Sequence, residues 1–177
     1  MKFERIFVHC SATEYGSALL FDAWHKVRGW TGIGYHFVVS NGLYSGFQKS
    51  KWPFADGSVE AGRHLDDDST FEPNELGSHT YGFNSGSVGV CIIGNRRFTT
   101  KQYKSSKSLI LYLLEKFGLT VNDVFGHYEA GLIDPRYETE KTCPNIWMPD
   151  YRVYLSGSID EMQLQTRQKK YMAKIFG

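Results

Sequence analysis

The sequence lacks any long hydrophobic run and any excess of charge of one sign. No apolar stretch approaches the roughly 18 residues that a membrane span needs. The start, MKFERIFVHCSAT, has no charged leader followed by an apolar core of the kind that marks a signal peptide. We therefore expect a cytosolic product without a transmembrane segment. The 20 basic and 19 acidic residues leave a net charge of +1, so we expect no nucleic-acid partner.

Cysteine is also scarce and does not suggest a disulfide framework. The three cysteines, an odd number, are scattered at positions 10, 91 and 143, so each needs its own explanation. Cys91 lies inside an apolar run and is expected to be a buried small hydrophobic residue. A chain of 177 residues with 41% hydrophobic residues is long enough to bury one core and too short to suggest two.

Three segments carry the signals of β-strands. Residues 5–10 are mostly apolar and contain Ile and Val, which predicts a strand. Residues 35–47 are aromatic and β-branched around Asn41-Gly42, the strongest short signal for a β-hairpin. Residues 87–94, SVGVCIIG, form a nearly continuous apolar run that is typical of a central strand covered on both sides. A further short strand is expected at 58–62.

Helix signals are interleaved with these strands. Apolar residues at helical spacing predict a helix from about residue 17 to 28. A second helix begins at the capping box of Thr99 and Gln102 and ends at Gly118. A tail helix is expected within 158–177. The alternation predicts an α/β fold with a central mixed sheet flanked by helices.

The predicted organisation is a catalytic domain over residues 1–150 followed by a helical tail over 151–177. Two interpretations of the tail stay open. Its basic and apolar residues are typical of an amphipathic helix that touches an anionic membrane or wall polymer. They are also typical of a helix that packs on the domain and exposes its charges to water, and we favour this second interpretation because folded helices commonly carry the pattern.

Two histidines and one cysteine are candidates to bind a metal ion. A catalytic zinc site has three protein ligands and leaves the fourth position for water. His9 lies at the end of a predicted strand, His127 follows a short apolar stretch, and Cys143 precedes a proline in a predicted loop. Their spacing matches no local zinc motif, so spacing alone leaves a structural role as the commoner explanation for each histidine.

Six sequence blocks occur in an order that resembles a known enzyme family. They are IFVHCSAT, IGYHFVVSNG, VEAGR, GSHTYGFNSGSVGVCIIGN, FGHYEA and KTCP. The chain resembles the type-2 N-acetylmuramoyl-L-alanine amidases, whose fold is shared by animal peptidoglycan recognition proteins. Within that family it is similar to the small amidase-type lysozymes, or endolysins, of T-odd bacteriophages. Six blocks in one order are more specific than any single motif, and they cover roughly residues 4–147.

The resemblance implies a role for each matched residue. The family's zinc ligands correspond to His9, His127 and Cys143, and the residues that complete its active site correspond to Tyr35 and Lys141. Without the resemblance, Tyr35 is an ordinary half-buried aromatic residue and Lys141 an ordinary exposed lysine.

Further histidines and one asparagine fall within the matched blocks. His79 and Asn84 line the substrate groove by resemblance, although a hydrogen-bonded loop explains them nearly as well. His25 and His36 are expected to be structural.

The implied reaction is zinc-dependent hydrolysis of the amide bond between N-acetylmuramic acid and L-alanine in bacterial peptidoglycan, by a phage endolysin in host lysis. The enzyme would be made in the host cytoplasm and reach the wall through a holin or similar route. We expect the leader by which some relatives inhibit their phage's RNA polymerase to be shortened in this chain, and therefore expect no polymerase-regulating role. A monomer is expected.

Two other functions stay open. One is a peptidoglycan-binding module without catalysis, against which the presence of Cys143 argues. The other is a thiol peptidase with Cys143 as nucleophile and His127 as its base. An insertion at residues 43–58, rich in aromatic residues and lysine, either covers sugar rings or forms a hairpin that packs on its own domain.

Overall fold

In the computed structural model, which describes residues 1–45, 48–49, 55–66 and 68–176, seven strands form two sheets. The strands are β1 (Arg5–Cys10), β2 (Phe37–Val39), β3 (Leu43–Ser45), β4 (Gln48–Lys49), β5 (Val59–Ala61), β6 (Ser87–Ile92) and β7 (Val124–Gly126). The main sheet has the order β5-β2-β6-β1-β7, and β3 pairs with β4 alone. Parallel pairs join β2 to β6, β6 to β1 and β1 to β7, whereas β5 is antiparallel to β2. The predicted mixed sheet is confirmed.

The described residues also form five α-helices around the sheet. They are α1 (Ala18–Val27), α2 (Thr100–Phe117), α3 (Ala130–Ile133), α4 (Met148–Leu155) and α5 (Glu161–Phe176). The Ser17 hydroxyl caps α1 by accepting from the Leu20 amide at 3.1 Å. The predicted capping box of Thr99 begins α2, and Gly118, with φ +65°, ends it. Both predicted helices are confirmed.

The sheet is covered on both faces. Because β6 is its middle strand, it lies at the centre of the core. Every residue of β6 is buried, as its apolar run predicts. One face packs against α2, α4 and α5 through a large cluster that includes Ile6, Val8 and Leu164. The other face packs against α1 around Val38 and Cys91. As expected, Cys91 is a buried small residue. No helix in the described part of the chain is long and apolar enough to span a bilayer.

The predicted hairpin at Asn41-Gly42 is wrong. The turn itself forms, since Gly42 has φ +77° and the Asn41 side chain accepts from the Leu43 amide at 3.0 Å. However, β2 pairs with β5 and β6 rather than with β3. The fully buried Val38 and Val39 explain this choice, because they gain more by lying inside the main sheet than in an exposed hairpin.

The predictions for two further segments have different outcomes. Residues 46–47 and 50–54 of the aromatic insertion lie outside the described residues, so its two interpretations stay open. Helix α4 is not among the predicted helices, although Met148, Tyr151, Tyr154 and Leu155 are buried at helical spacing. The division into 1–150 and 151–177 stays a prediction, and α4 runs across its boundary.

Candidate metal centre and active site

The parallel pairing of β1 with β7 brings two of the candidate ligands to one edge of the sheet. His9 lies near the carboxyl end of β1, and His127 follows directly after β7. The third candidate, Cys143, lies in the loop before α4. Two backbone contacts hold this loop in place: the Tyr128 amide donates to the Cys143 carbonyl at 2.9 Å, and the Cys10 amide donates to the Cys143 Sγ at 3.3 Å.

Among the described residues, His9, His127 and Cys143 form a group able to hold a metal ion, with their ligand atoms within 4.8 Å of one another. The Cys143 Sγ lies 3.7 Å from His9 Nδ1. In a tetrahedral zinc site, bonds of about 2.3 Å to sulfur and about 2.1 Å to nitrogen separate these two atoms by about 3.6 Å. Two imidazoles and one thiolate are also a ligand set that suits zinc. The residues therefore fit a zinc ion.

The electrostatics of the site favour neutral imidazoles. Burial, followed by the charges of His79, His127 and Lys141, holds the pKa of His9 well below its ordinary 6.5. Burial and the nearby Lys141 charge lower the pKa of His127 to about 4. Both rings are therefore unprotonated near neutral pH, as metal ligands must be.

The thiol of Cys143 behaves differently without a metal. Its contact with the Cys10 thiol and its burial raise its pKa well above 9.0. A divalent cation offsets this cost, because its positive charge stabilises a coordinating thiolate. A bound cation would therefore stabilise the deprotonated form of Cys143 beside the two neutral imidazoles.

Tyr35 and Lys141 both lie beside the candidate ligands. The ring centroids of Tyr35 and His9 are 5.3 Å apart. Burial raises the pKa of Tyr35 well above its ordinary 10.0, so its phenol keeps its proton. Lys141 is exposed, and its charge acts on both His9 and His127. A neutral hydrogen-bond donor and a cation thus flank the three ligands.

The structure places His79 and Asn84 in one loop. The Asn84 Oδ1 accepts from the amides of His79 at 2.9 Å and Thr80 at 2.8 Å, so its side chain stabilises the loop. His79 is 7% exposed and contacts His9. Their predicted contact with substrate stays a prediction. As expected, His36 has structural partners, the Gly89 amide at 2.9 Å and the Glu75 carbonyl at 2.6 Å.

Three residues that support the site are absent from the predictions. Glu129 accepts from the Gly126 amide at 3.0 Å and so braces the turn that carries His127. Arg152, on α4, binds Glu129. Cys10 contacts Cys143 through its backbone amide. Glu129 could have been identified from the sequence, because it lies two residues after a candidate ligand. Arg152 could not, because it lies on a helix that was not predicted.

Comparison with known proteins defines the class of this protein. The model of the Amidase_2 family, N-acetylmuramoyl-L-alanine amidase, matches residues 1–146. The chain therefore belongs to this family, and the resemblance of its six blocks is confirmed.

Particular relatives agree with this assignment. The endolysin of Enterobacteria phage K11 is 40% identical over 153 residues, which cover 80% of each chain. The N-acetylmuramoyl-L-alanine amidase LysC from Clostridium intestinale has a TM-score of 0.65 and 25% identity, and the match covers 88% of this chain and 87% of LysC. The Drosophila recognition protein PGRP-LB shares the fold, with a TM-score of 0.56, 20% identity and coverage of 81% and 75%.

Proposed function

We propose that this protein is a zinc-dependent amidase that cuts the bond between N-acetylmuramic acid and L-alanine in bacterial peptidoglycan. The observation that carries the proposal is the convergence of His9, His127 and Cys143 on one point with ligand atoms within 4.8 Å. Membership of the amidase family supports the reaction and its substrate. Zinc supplies a Lewis acid for the amide carbonyl and a source of hydroxide near neutral pH.

Lys141 and Tyr35 have separate roles in this proposal. Attack on an amide carbon places negative charge on the carbonyl oxygen, and the exposed Lys141 cation stabilises that charge. Tyr35 donates a hydrogen bond from its neutral phenol to the same oxygen or passes a proton toward the leaving amine.

The biological setting we propose is lysis of a bacterial host by a phage endolysin. The curated relatives that match this chain are named endolysins. The protein would act as a monomer, be made in the host cytoplasm, and reach the wall through a holin or a similar route. We propose peptidoglycan as the macromolecular partner and no nucleic-acid partner.

Digestion of purified peptidoglycan tests the reaction. The amidase releases free stem peptides and leaves glycan chains intact. New reducing sugars, or peptides cut internally, would overturn the proposal. A binding module without catalysis gives no soluble product at all.

Removal of the metal tests the cofactor and separates the amidase from a thiol peptidase. Treatment with a chelator abolishes release of stem peptides, and added zinc restores it. A thiol peptidase keeps its activity in the chelator and loses it with a thiol-alkylating reagent. Activity that survives complete removal of metal contradicts the zinc proposal.

A further inference from the structure

His79 lies behind His9, on the side of the ring opposite the candidate metal position. Because His9 Nδ1 faces the Cys143 sulfur, its other nitrogen, Nε2, points into the protein. There it lies 3.2 Å from His79 Nδ1 and 3.3 Å from the Thr80 hydroxyl. His9 is 1% exposed, so these protein groups, rather than bulk water, surround its inner nitrogen.

The hydrogen bonds continue from His79 to the backbone in one consistent direction. A neutral His9 that binds a metal through Nδ1 carries its hydrogen on Nε2, which must donate. His79 Nδ1 then accepts, and its own hydrogen lies on Nε2, 3.4 Å from the Ser87 hydroxyl. The Ser87 hydroxyl in turn donates to the Phe83 carbonyl. Every group in this series has a partner of the required type.

Two glycines leave the space that the His79 ring occupies. A Cβ added to Gly89, on the central strand β6, would lie 2.5 Å from His79 Cδ2. A Cβ added to Gly77 would lie 2.7 Å from the same atom. Real atoms do not approach this closely, so any side chain at either position would displace the ring. The fold therefore holds His79 in a narrow slot against the back of His9.

We propose that His79 is a positioning residue that fixes the ring orientation and the tautomer of His9 for metal binding. The inference rests on the proposed zinc site. His79 is 7% exposed and its Nδ1 lies 3.2 Å from His9 Nε2, so it is placed to accept from a His9 that carries its hydrogen on that nitrogen. Partners that orient a metal-bound histidine in this way contribute about 10- to 100-fold in metal affinity.

The affinity for zinc, measured by competition with a chromophoric chelator, tests this role without reference to activity. His79→Leu removes the acceptor and is expected to weaken zinc binding by about 10- to 100-fold. His79→Asn retains an oxygen near the position of Nδ1 and is expected to restore most of that affinity. The matched control is His25→Leu at a second buried histidine, which binds the Gly34 amide and does not hydrogen-bond to His9.

Ser87→Ala keeps the test decisive if His79→Leu does not fold. This change removes the partner of His79 Nε2 and leaves both histidines in place, so a smaller loss of zinc affinity is expected. Unchanged affinity in Ser87→Ala and in whichever His79 variants fold would overturn the inference. The absorption spectrum of bound cobalt provides a second readout, since a misoriented His9 shifts its bands.

The kinetic constants separate positioning from the predicted contact with substrate. A raised KM with unchanged zinc affinity in His79→Asn and His79→Leu supports substrate contact and overturns the positioning role. Failure of the proposed function has a different signature, since the unmodified protein would then bind no stoichiometric zinc. That result ends this inference as well.

Discussion

Arg152 and Glu129 form a two-bond ion pair, with both nitrogen–oxygen distances at 2.8 Å, between α4 and the turn that begins at His127. Arg152 also donates to the Val124 carbonyl at 2.9 Å, and Glu129 accepts from the Gly126 amide at 3.0 Å. Glu129 is 3% exposed. The ion pair therefore links the end of β7, and with it His127, to helix α4 on one face of the sheet.

Replacement of Arg152 by Met is expected to lower the free energy of unfolding by about 3 kcal/mol, because a buried carboxylate loses its counterion. The zinc affinity is expected to fall as well, since the turn that carries His127 loses its brace. Urea denaturation of the metal-free protein measures the first effect. The control is Arg136→Met, in an exposed ion pair with Asp134, which is expected to change neither property. Equal stability of the two variants would contradict the bracing role.

Cys143→Ser is expected to lose most bound zinc and most activity, because a serine hydroxyl is a far weaker zinc ligand than a thiolate. The measurement is the molar ratio of zinc to protein after dialysis. Cys91→Ala, at a buried cysteine that is not one of the three candidate ligands, serves as the control and is expected to keep its zinc. Full zinc occupancy in Cys143→Ser would show that the Cys143 thiolate is not a zinc ligand.

Lys141→Ala and Tyr35→Phe are expected to keep zinc and lose turnover. Loss of one group that stabilises an oxyanion lowers kcat by about 100- to 1,000-fold. Phe retains the ring that packs beside His9, so Tyr35→Phe removes only the hydroxyl. Release of stem peptides measures kcat, and Lys170→Ala, an exposed lysine on α5, is the control. Full activity in either variant overturns the role assigned to that residue.

The buried His36 makes stability depend on pH. Burial lowers its pKa from 6.5 to about 4, with the hydrogen bond to the Glu75 carbonyl acting in the opposite direction. Since the folded pKa lies below the unfolded one, protonation favours the unfolded chain. The contribution of neutral His36 to the free energy of unfolding is fully present above about pH 6.5 and is lost as the pH falls toward 4.

From pH 7 to pH 5, this single group is expected to cost about 2 kcal/mol of unfolding free energy. Denaturant unfolding of the metal-free protein at the two pH values measures the loss. His36→Gln does not titrate, so its loss over the same interval is expected to be smaller by about that amount. Identical losses in the two proteins would show that His36 does not titrate in this way.

Much of the fold follows from local signals in the sequence. The apolar run of β6 and the capping box of α2 each specify their element, because burial on both faces and satisfaction of the first helix amides are local requirements. The choice of strand partners is not local. Asn41 and Gly42 make the turn that they predict, yet β2 pairs elsewhere because the alternative within the main sheet buries Val38 and Val39.

Helix α4 shows a second limit of sequence patterns. Tyr151 and Tyr154 are fully buried, and their hydroxyls bind the side chains of Ser106 and Glu161 at 2.7 and 2.8 Å. A tyrosine is buried readily only when its hydroxyl has a partner, and these partners come from other helices. The sequence around Tyr151 therefore does not show that the segment is a core helix.

The candidate site depends on long-range contacts even more strongly. His9, His127 and Cys143 have no informative spacing, so only the resemblance of whole blocks identifies them together. The contact of His79 with His9 and that of Arg152 with Glu129 join residues from separate elements. No local rule connects such pairs, because only the packing of the strands, loops and helices in the whole fold brings them within reach.

The position of β1 between β6 and β7 has a consequence for synthesis on the ribosome. Ile6 pairs with Val88 on one side and with Val124 on the other, so the first strand gains both neighbours only after residue 124 has emerged. Pairings this distant in sequence slow the folding of a domain. The nascent polypeptide therefore carries His9 apart from His127 and Cys143 until both have been synthesised, and the three candidate ligands can come together only after residue 143 has left the ribosome.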